Sequence, residues 1–214
     1  MGSDEANPSL THLAFVLSGS DLEGTPNSGT SDDAERLAAL LRLAWEIGLE
    51  QVSFWFEGES VQIQKIKKAL EDIDKKEEKV SFKALHEVGS AATLEGSLVV
   101  DTWGPNNGRK ELTEVIRELA GAGTATGAAK EEKPRPSDLE DAISRHARFA
   151  EMPDPDLMVF FGGRKTLSNL GVWRGAYAEF AFLPKPWHSF TARDLRELLS
   201  AFDLRERRFG AISG

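Results

Sequence analysis

Runs of consecutive apolar residues alternate along this chain with segments in which apolar residues recur every three or four positions. The runs at 13–17 and 52–56 are typical of strands buried on both faces. Weaker runs predict further strands at 80–85, 97–102 and 157–161. Helical spacing and capping residues predict helices at 31–47, 63–73, 109–119, 136–147 and 191–199. This alternation predicts an α/β fold with a mostly parallel central sheet wrapped by helices.

Both ends of the chain and one internal segment interrupt the pattern. Small and polar residues dominate 121–135, which predicts a mobile loop within the domain. The first ten residues lack apolar periodicity and predict a flexible N-terminus. Residues 11–204 are therefore expected to form one domain, followed by a short C-terminal tail at 205–214.

Composition excludes several classes of function. The 214 residues carry a formal net charge of −9, and nucleic-acid-binding domains are usually basic. There is no cysteine, so disulfides and cysteine metal sites are excluded, and the four histidines are scattered and expected to be structural or on the surface. No apolar run is long enough to span a bilayer, and the acidic N-terminus is unlike a signal peptide. The sequence therefore predicts a cytoplasmic protein.

The C-terminal third carries the most distinctive series of residues. A Pro-Asp-Pro-Asp run at 153–156 precedes the last predicted strand, Leu167-Ser168-Asn169 follows it, and Trp173, the segment 176–180 and Arg208-Phe209-Gly210 come later. In order and spacing these pieces resemble the cis-prenyltransferase family. Its members extend farnesyl diphosphate with isopentenyl diphosphate to polyprenyl diphosphates such as undecaprenyl or dehydrodolichyl diphosphate. The resemblance implies the same α/β fold and a chemistry that depends on Mg²⁺.

The positions that carry charge in the catalytic members of that family are neutral here. Those members end the first strand in Asp-Gly-Asn-Gly-Arg-Trp, and Ser18 and Leu22 replace its Asp and Arg. Thr30 stands in place of a family His, and Phe160 and Thr166 replace two arginines of the isopentenyl diphosphate site. Magnesium prefers carboxylate ligands, and diphosphates are held by arginine forks. These five degenerate positions therefore predict no metal site in this chain and no catalysis by this chain alone.

Some charged residues near these positions leave an alternative open. The family's Phe-Ser-Thr-Glu-Asn segment is replaced by 57–61, which places the carboxylates of Glu57 and Glu59 where an anionic substrate would approach. Asp21 could act as a displaced metal ligand. Arg164 and Lys165 could supply replacement cations, although a basic surface turn is the simpler interpretation. The alternative function is an autonomous synthase whose rewired ligands are Asp21, Glu59, Arg164 and Lys165.

The end of the chain resembles a particular kind of family member. Heteromeric cis-prenyltransferases contain a non-catalytic subunit, similar to the Nogo-B receptor and its yeast counterpart, that ends in Arg-x-Gly. The resemblance implies that Arg208 and the Gly210 N–H act in the active site of a catalytic partner, against isopentenyl diphosphate and the Mg²⁺ that the partner binds. Further candidate substrate contacts are Phe209, Ser168, Asn169 and Glu179. Glu179 could equally be a contact in the dimer interface.

The expected role is therefore that of an accessory subunit in a heterodimer or heterotetramer. Dimerisation is expected through the helices and strand around 173–182, and contact with a membrane would be peripheral, through the partner or the product. A third possibility is a scaffold or receptor-like interaction protein that keeps the fold and has no part in catalysis.

Overall fold

A six-stranded parallel sheet forms the centre of the molecule. The computed structural model describes residues 10–22, 30–74, 80–84, 98–103, 108–125, 136–145, 154–167 and 173–203. The strands are β1 (His12–Ser18), β2 (Gln51–Glu57), β3 (Val80–Ala84), β4 (Leu98–Trp103), β5 (Leu157–Phe160) and β6 (Glu179–Phe182). Their spatial order is β3-β4-β2-β1-β5-β6, and every neighbouring pair is parallel. The predicted α/β class is confirmed, and β6 is the strand expected within 173–182.

Five helices accompany the sheet in the described ranges, and two of them run four or more residues past their predicted ends. They are α1 (Thr30–Glu46), α2 (Val61–Asp74), α3 (Gly108–Ala125), α4 (Pro136–Ser144) and α5 (Ala192–Asp203). Helix α3 continues five residues into the segment predicted to be a mobile loop, and 126–135 lies outside the described residues. Helix α5 runs four residues past its predicted end. Among the described residues, no helix has the length and apolar composition needed to span a bilayer.

Two sets of side chains pack on opposite faces of the sheet because successive residues of a strand point to opposite sides. On one face, alternate residues of β1 and β2 such as Phe15 and Phe54 join the apolar faces of α1, α2 and α5 in the main core. On the other face, Val16, Trp55 and Phe160 form a smaller cluster. Both faces of the central strands are buried, which explains why their runs are almost entirely apolar.

A buried polar group occupies the amino-terminal half of the second face. The His12 Nε2 atom lies 2.6 Å from Ser53 Oγ, and Ser53 Oγ donates a hydrogen bond of 2.8 Å to Asp101 Oδ2. The side-chain amide of Gln51 also donates to Asp101 Oδ2. Hydrogen bonding is what allows such groups to be buried, so His12 has the structural role predicted for it.

The Pro-Asp-Pro-Asp run joins two strands that are far apart in sequence. The Oδ2 atom of Asp156 accepts hydrogen bonds from the backbone N–H groups of Thr11 and His12 and from the Thr11 hydroxyl, at 2.8–3.0 Å. Asp156 thereby connects the entrance of β5 to the entrance of β1. Nearby, Asp154 pairs with the buried Arg174. These contacts explain two of the residues that carried the sequence resemblance.

Candidate functional site

The carboxyl ends of β1, β2 and β5 lie side by side at one edge of the sheet. Ser18 ends β1 and is paired in register with Glu57, which ends β2. Phe160 ends β5, and the chain then turns through Gly162 and Gly163 to Arg164. Ligands of parallel α/β sheets bind at this edge, beyond the carboxyl ends of the strands. The edge is therefore the candidate functional site.

Ser18 and Asp21 form a closed turn at the end of β1. The Asp21 Oδ2 atom accepts hydrogen bonds from the Ser18 N–H and from the Ser18 hydroxyl, both at 2.7 Å. A short 3-10 helix, Ser20–Leu22, places the Asp21 carboxylate inward and buries the Leu22 side chain in the main core. Leu22 therefore contributes to packing at the position where the catalytic members carry an arginine.

Arg164 joins this turn to the end of β2. Its Nη2 donates to Asp21 Oδ2 at 3.0 Å, and its Nη1 donates to Glu57 Oε2 at 2.7 Å. The side chains of Arg164, Asp21 and Glu57 are 18%, 5% and 27% exposed. The turn is at the surface, as the simpler interpretation expected, since Gly162, Gly163 and Lys165 are exposed, but two carboxylates hold the guanidinium of Arg164 itself. We refer to Ser18, Asp21, Glu57 and Arg164 as the edge cluster.

The residues of the edge cluster do not fit a magnesium ion. Magnesium binds through one or two carboxylates in near-octahedral geometry. Here Asp21 Oδ2 and Glu57 Oε2 instead receive the N–H groups of Arg164. Across the described ranges, no three His, Asp or Glu side chains come together in an arrangement that could hold a metal ion. We therefore derive no step at this edge that passes through Mg²⁺.

The remaining degenerate positions lie in different surroundings. Phe160 is buried and stacks on Phe182 with 4.9 Å between ring centroids. Thr166 is exposed on the turn beyond Arg164. Thr30 is the first residue of α1, and its side chain lies outside the described part of the structure. Phe160 thus replaces a cation by an aromatic contact within the sheet.

The candidate substrate contacts are only partly within the described residues. Ser168, Asn169, Arg208, Phe209 and Gly210 lie outside them. Glu179 is half-buried and begins β6, in register with Leu157 at the start of β5. Because the strands are parallel, Glu179 lies at the opposite edge of the sheet from the edge cluster. The structure therefore does not bring Glu179 to the candidate site of its own subunit.

Sequence reasoning missed two features of this site. Glu57 was expected only to place a carboxylate near an approaching anionic substrate, whereas it pairs with Arg164 beside its register partner Ser18. Gly162 and Gly163 have φ angles of 72° and 74°, and their backbone N–H groups donate to Lys185 O and Leu183 O. The consecutive glycines between a buried strand and an arginine were the available signal for such a turn.

The segment that holds this turn is fixed by an ion pair at the start of α5. Lys185 pairs with Asp194, whose carboxylate also accepts bonds from the N–H and hydroxyl of Thr191. The Asp194 N–H approaches Thr191 Oγ1 at 3.4 Å, so Thr191 is the predicted cap of this helix. Burial raises the pKa of Asp194, but the hydrogen bonds from Lys185 and Thr191 outweigh it and lower the pKa from 3.8 to about 2.

This lowered pKa predicts a pH-dependent contribution to stability. A carboxyl whose pKa is depressed by folding stabilises the protein above its unfolded pKa, and this contribution is lost as pH falls from about 4 towards 2. After allowance for solvent screening, we expect Asp194→Asn to lower the free energy of unfolding by about 1 kcal/mol at pH 7. Urea unfolding should show that the free energies of unfolding of the variant and the wild type differ less below pH 4 than at pH 7. Glu140→Gln, at an exposed position of α4, is the matched control, and a difference that stays constant with pH would contradict the assignment.

Comparison with known proteins identifies the family. The profile of the family described as "Putative undecaprenyl diphosphate synthase" matches residues 64–210, more than half of the chain. The chain belongs to this family. The predicted relationship to the cis-prenyltransferases is thus confirmed, and the match extends to the glycine of the C-terminal Arg-Phe-Gly motif.

Curated relatives share about half of this chain. The isoprenyl transferase of Porphyromonas gingivalis is 38% identical over 106 residues, which cover 49% of this chain and 39% of that protein. The isoprenyl transferase of Streptomyces fradiae is 35% identical over 104 residues, which cover 49% and 40%. The chain therefore spans about two fifths of the length of these relatives. Both relatives are named as isoprenyl transferases.

Solved structures share the fold over nearly the whole chain. Lavandulyl diphosphate synthase from Lavandula x intermedia, solved with dimethylallyl diphosphate, superposes with a TM-score of 0.68 at 18% identity, over 94% of this chain and 98% of that one. A probable undecaprenyl diphosphate synthase from Campylobacter jejuni gives a TM-score of 0.63 at 19% identity, over 94% and 99%. At these identities the likeness shows the fold.

Proposed function

We propose that this chain is a non-catalytic subunit of a heteromeric cis-prenyltransferase, in which a catalytic homologue binds Mg²⁺ and the substrates. The observation that carries the proposal is the Arg164 guanidinium, which bridges Asp21 and Glu57 at the ligand-binding edge of the sheet. Because a side chain of the same molecule engages both carboxylates, this edge is not arranged to hold Mg²⁺ and a diphosphate. The loss of the family's Asp at Ser18 leads to the same conclusion.

The charges around the edge cluster also oppose a diphosphate. Asp21 and Glu57 face the single positive charge of Arg164, and the exposed Glu59 and Lys165 add one charge of each sign. The described residues at and just beyond the ends of β1, β2 and β5 therefore include three carboxylates and two cations. An anionic substrate would meet this excess of negative charge. Repulsion between like charges in a partly buried site would raise the free energy of the bound state. Two of the four ligands required by an autonomous synthase, Asp21 and Arg164, are paired with each other.

The C-terminal motif provides the contribution to catalysis in this proposal. Arg208 would present a guanidinium fork, and Gly210 an unhindered backbone N–H, to one phosphate of isopentenyl diphosphate in the partner's site. The family match, which ends at residue 210, includes this motif and supports the proposal. The complex would condense isopentenyl diphosphate onto farnesyl diphosphate to make a long-chain polyprenyl diphosphate.

An exposed aromatic surface supports association with a partner subunit. Tyr177 and Phe182, at the end of the sheet formed by β6, are exposed, and Phe180 between them is half-buried. Clusters of exposed apolar side chains are typical of protein interfaces. A heterodimer or heterotetramer formed around 173–182 would cover this surface, and any membrane contact would come through the partner or the lipid product.

The proposal is tested by assaying the purified chain alone. With farnesyl diphosphate, isopentenyl diphosphate and Mg²⁺, we expect no polyprenyl product and no heat of binding in calorimetry, because the edge cluster is already bridged internally. A homologue from the same organism that retains the Asp motif serves as the positive control and as the partner. Activity of that homologue should rise when this chain is added. Sustained polyprenyl synthesis by this chain alone would refute the proposal and favour an autonomous synthase.

A further inference from the structure

We propose that the Arg164 guanidinium takes the place of a bound divalent ion at the carboxyl edge of the sheet. It holds the ends of β1, β2 and β5 together in the absence of any ligand. The proposal deepens the proposed function and rests on it for the loss of catalysis at this edge. Its test measures thermal stability rather than activity, so the two can fail separately.

The Arg164 guanidinium bridges carboxylates at the ends of two different strands. The two carboxylates follow strands β1 and β2, and the guanidinium follows β5, so Arg164 is 143 residues from Asp21 and 107 residues from Glu57 in sequence. A divalent ion binds carboxylates from separate strands in the same manner. The planar guanidinium does so with two of its N–H groups and an invariant positive charge. Arg164 therefore connects the three strand ends in the way that a bound metal would.

The turn that precedes Arg164 positions this residue beside Asp21. Phe161 is buried in the main core, and the backbone N–H groups of Gly162 and Gly163 donate to Lys185 O at 3.1 Å and Leu183 O at 2.9 Å. Both glycines have positive φ angles, which direct the chain back over the end of the sheet. A Cβ atom at Gly162 would lie only 2.8 Å from Asp21 Oδ1. The turn thus approaches the carboxylate more closely than any other residue type would allow.

Arg164 also offsets part of the negative charge of Asp21 and Glu57. Asp21 Oδ2 receives the N–H and hydroxyl of Ser18 as well as the guanidinium, so this oxygen has three donors before any ligand arrives. Without Arg164, two carboxylates would face each other at a partly buried site with no positive group between them. That arrangement raises the free energy of the folded state. A divalent ion from solution would then be favoured in the place that the guanidinium vacated.

The test is thermal unfolding of Arg164→Met with and without Mg²⁺. Loss of the cation from this partly buried site should lower Tm by about 5–10 °C in a chain of this size. Millimolar Mg²⁺ should recover part of that loss, whereas the wild-type Tm should change by less than about 1 °C. Arg193→Met is the matched control, because Arg193 forms an exposed ion pair with Glu197 in α5. A Tm equal to that of the wild type, or a loss that Mg²⁺ does not reduce, would overturn the proposal.

Two further variants keep the test decisive if Arg164→Met does not fold. Arg164→Lys retains the charge but not the fork, and its Tm should lie between the wild-type and Met values without a response to Mg²⁺. Arg164→Met combined with Glu57→Gln removes one of the opposed carboxylates, so its Tm should recover in the absence of metal. A double variant that is less stable than Arg164→Met would show that Arg164 acts through packing alone and would overturn the proposal.

Discussion

Replacement of Arg208 by alanine is expected to lower the polyprenyl synthesis of the assembled complex by about 100- to 1,000-fold. Each hydrogen bond between charged groups contributes about 1.5–3 kcal/mol, and a guanidinium fork makes two of them to one phosphate. A loss of about 3–4 kcal/mol from the transition state corresponds to that change in rate. The measurement is kcat/KM for isopentenyl diphosphate, made with this chain and its catalytic partner at saturating farnesyl diphosphate.

The tail contains its own control for that experiment. Arg207→Ala removes the same charge one residue earlier and should change kcat/KM by less than about threefold. Arg208→Lys keeps the charge but not the fork, so its activity should lie between those of the wild type and the alanine variant. Assembly of each complex is checked by gel filtration. If the Arg208→Ala complex assembles and works at the wild-type rate, the tail has no role in the partner's site and a scaffold function becomes the better explanation.

Replacement of Gly162 by alanine is expected to lower the free energy of unfolding by about 3 kcal/mol. Its φ angle of 72° strains any residue with a Cβ, and the added Cβ would meet Asp21 Oδ1 at 2.8 Å. Asp21 has little freedom to move, because Ser18 and Arg164 hold the other oxygen of its carboxylate. The alanine variant should therefore disturb the whole edge cluster. Urea unfolding of the two proteins measures the change.

Alanine substitutions at two other glycines distinguish the cost of backbone strain from the cost of the close contact with Asp21. Gly58 has a φ angle of 77° but no atom within 4 Å of an added Cβ, so Gly58→Ala should cost only about 1–2 kcal/mol of strain. Gly19 has similar space without a positive φ angle, and Gly19→Ala should change stability by less than about 0.5 kcal/mol. Equal losses for Gly162→Ala and Gly58→Ala would mean that the contact with Asp21 contributes nothing.

The strands could be predicted because they are buried on both faces. Apolar residues dominate both sides of β1 and β2, and Ser53 is the one polar residue within the two runs 13–17 and 52–56, so the sequence displays each strand directly. The end of α3 could not be predicted in this way. Gly121 and Gly123 each lower helix propensity by about 1 kcal/mol relative to alanine, which favoured a loop, yet the helix continues to Ala125. Propensity is a weak guide where other interactions decide.

Some features of the candidate site could likewise be predicted from the sequence, and others could not. The absence of an Asp at Ser18 and of an Arg at Leu22 is visible in the sequence, because those positions follow a recognisable strand. The destination of Arg164 is not visible, and the interpretation as a surface turn followed from its neighbours alone. Its partners are more than a hundred residues away in sequence, and only the register of β1 with β2 places Glu57 beside the turn of Asp21.

The sequence by itself determined the α/β class, the family and the neutral residues at positions where catalytic members are charged, because local periodicity and short motifs carry that information. The tertiary structure alone decided that Arg164 pairs with Asp21 and Glu57 at the carboxyl edge of the sheet. The physical reason is that electrostatic interactions depend on distance in space. Parallel strands connected by long crossovers bring together charges that the sequence keeps far apart.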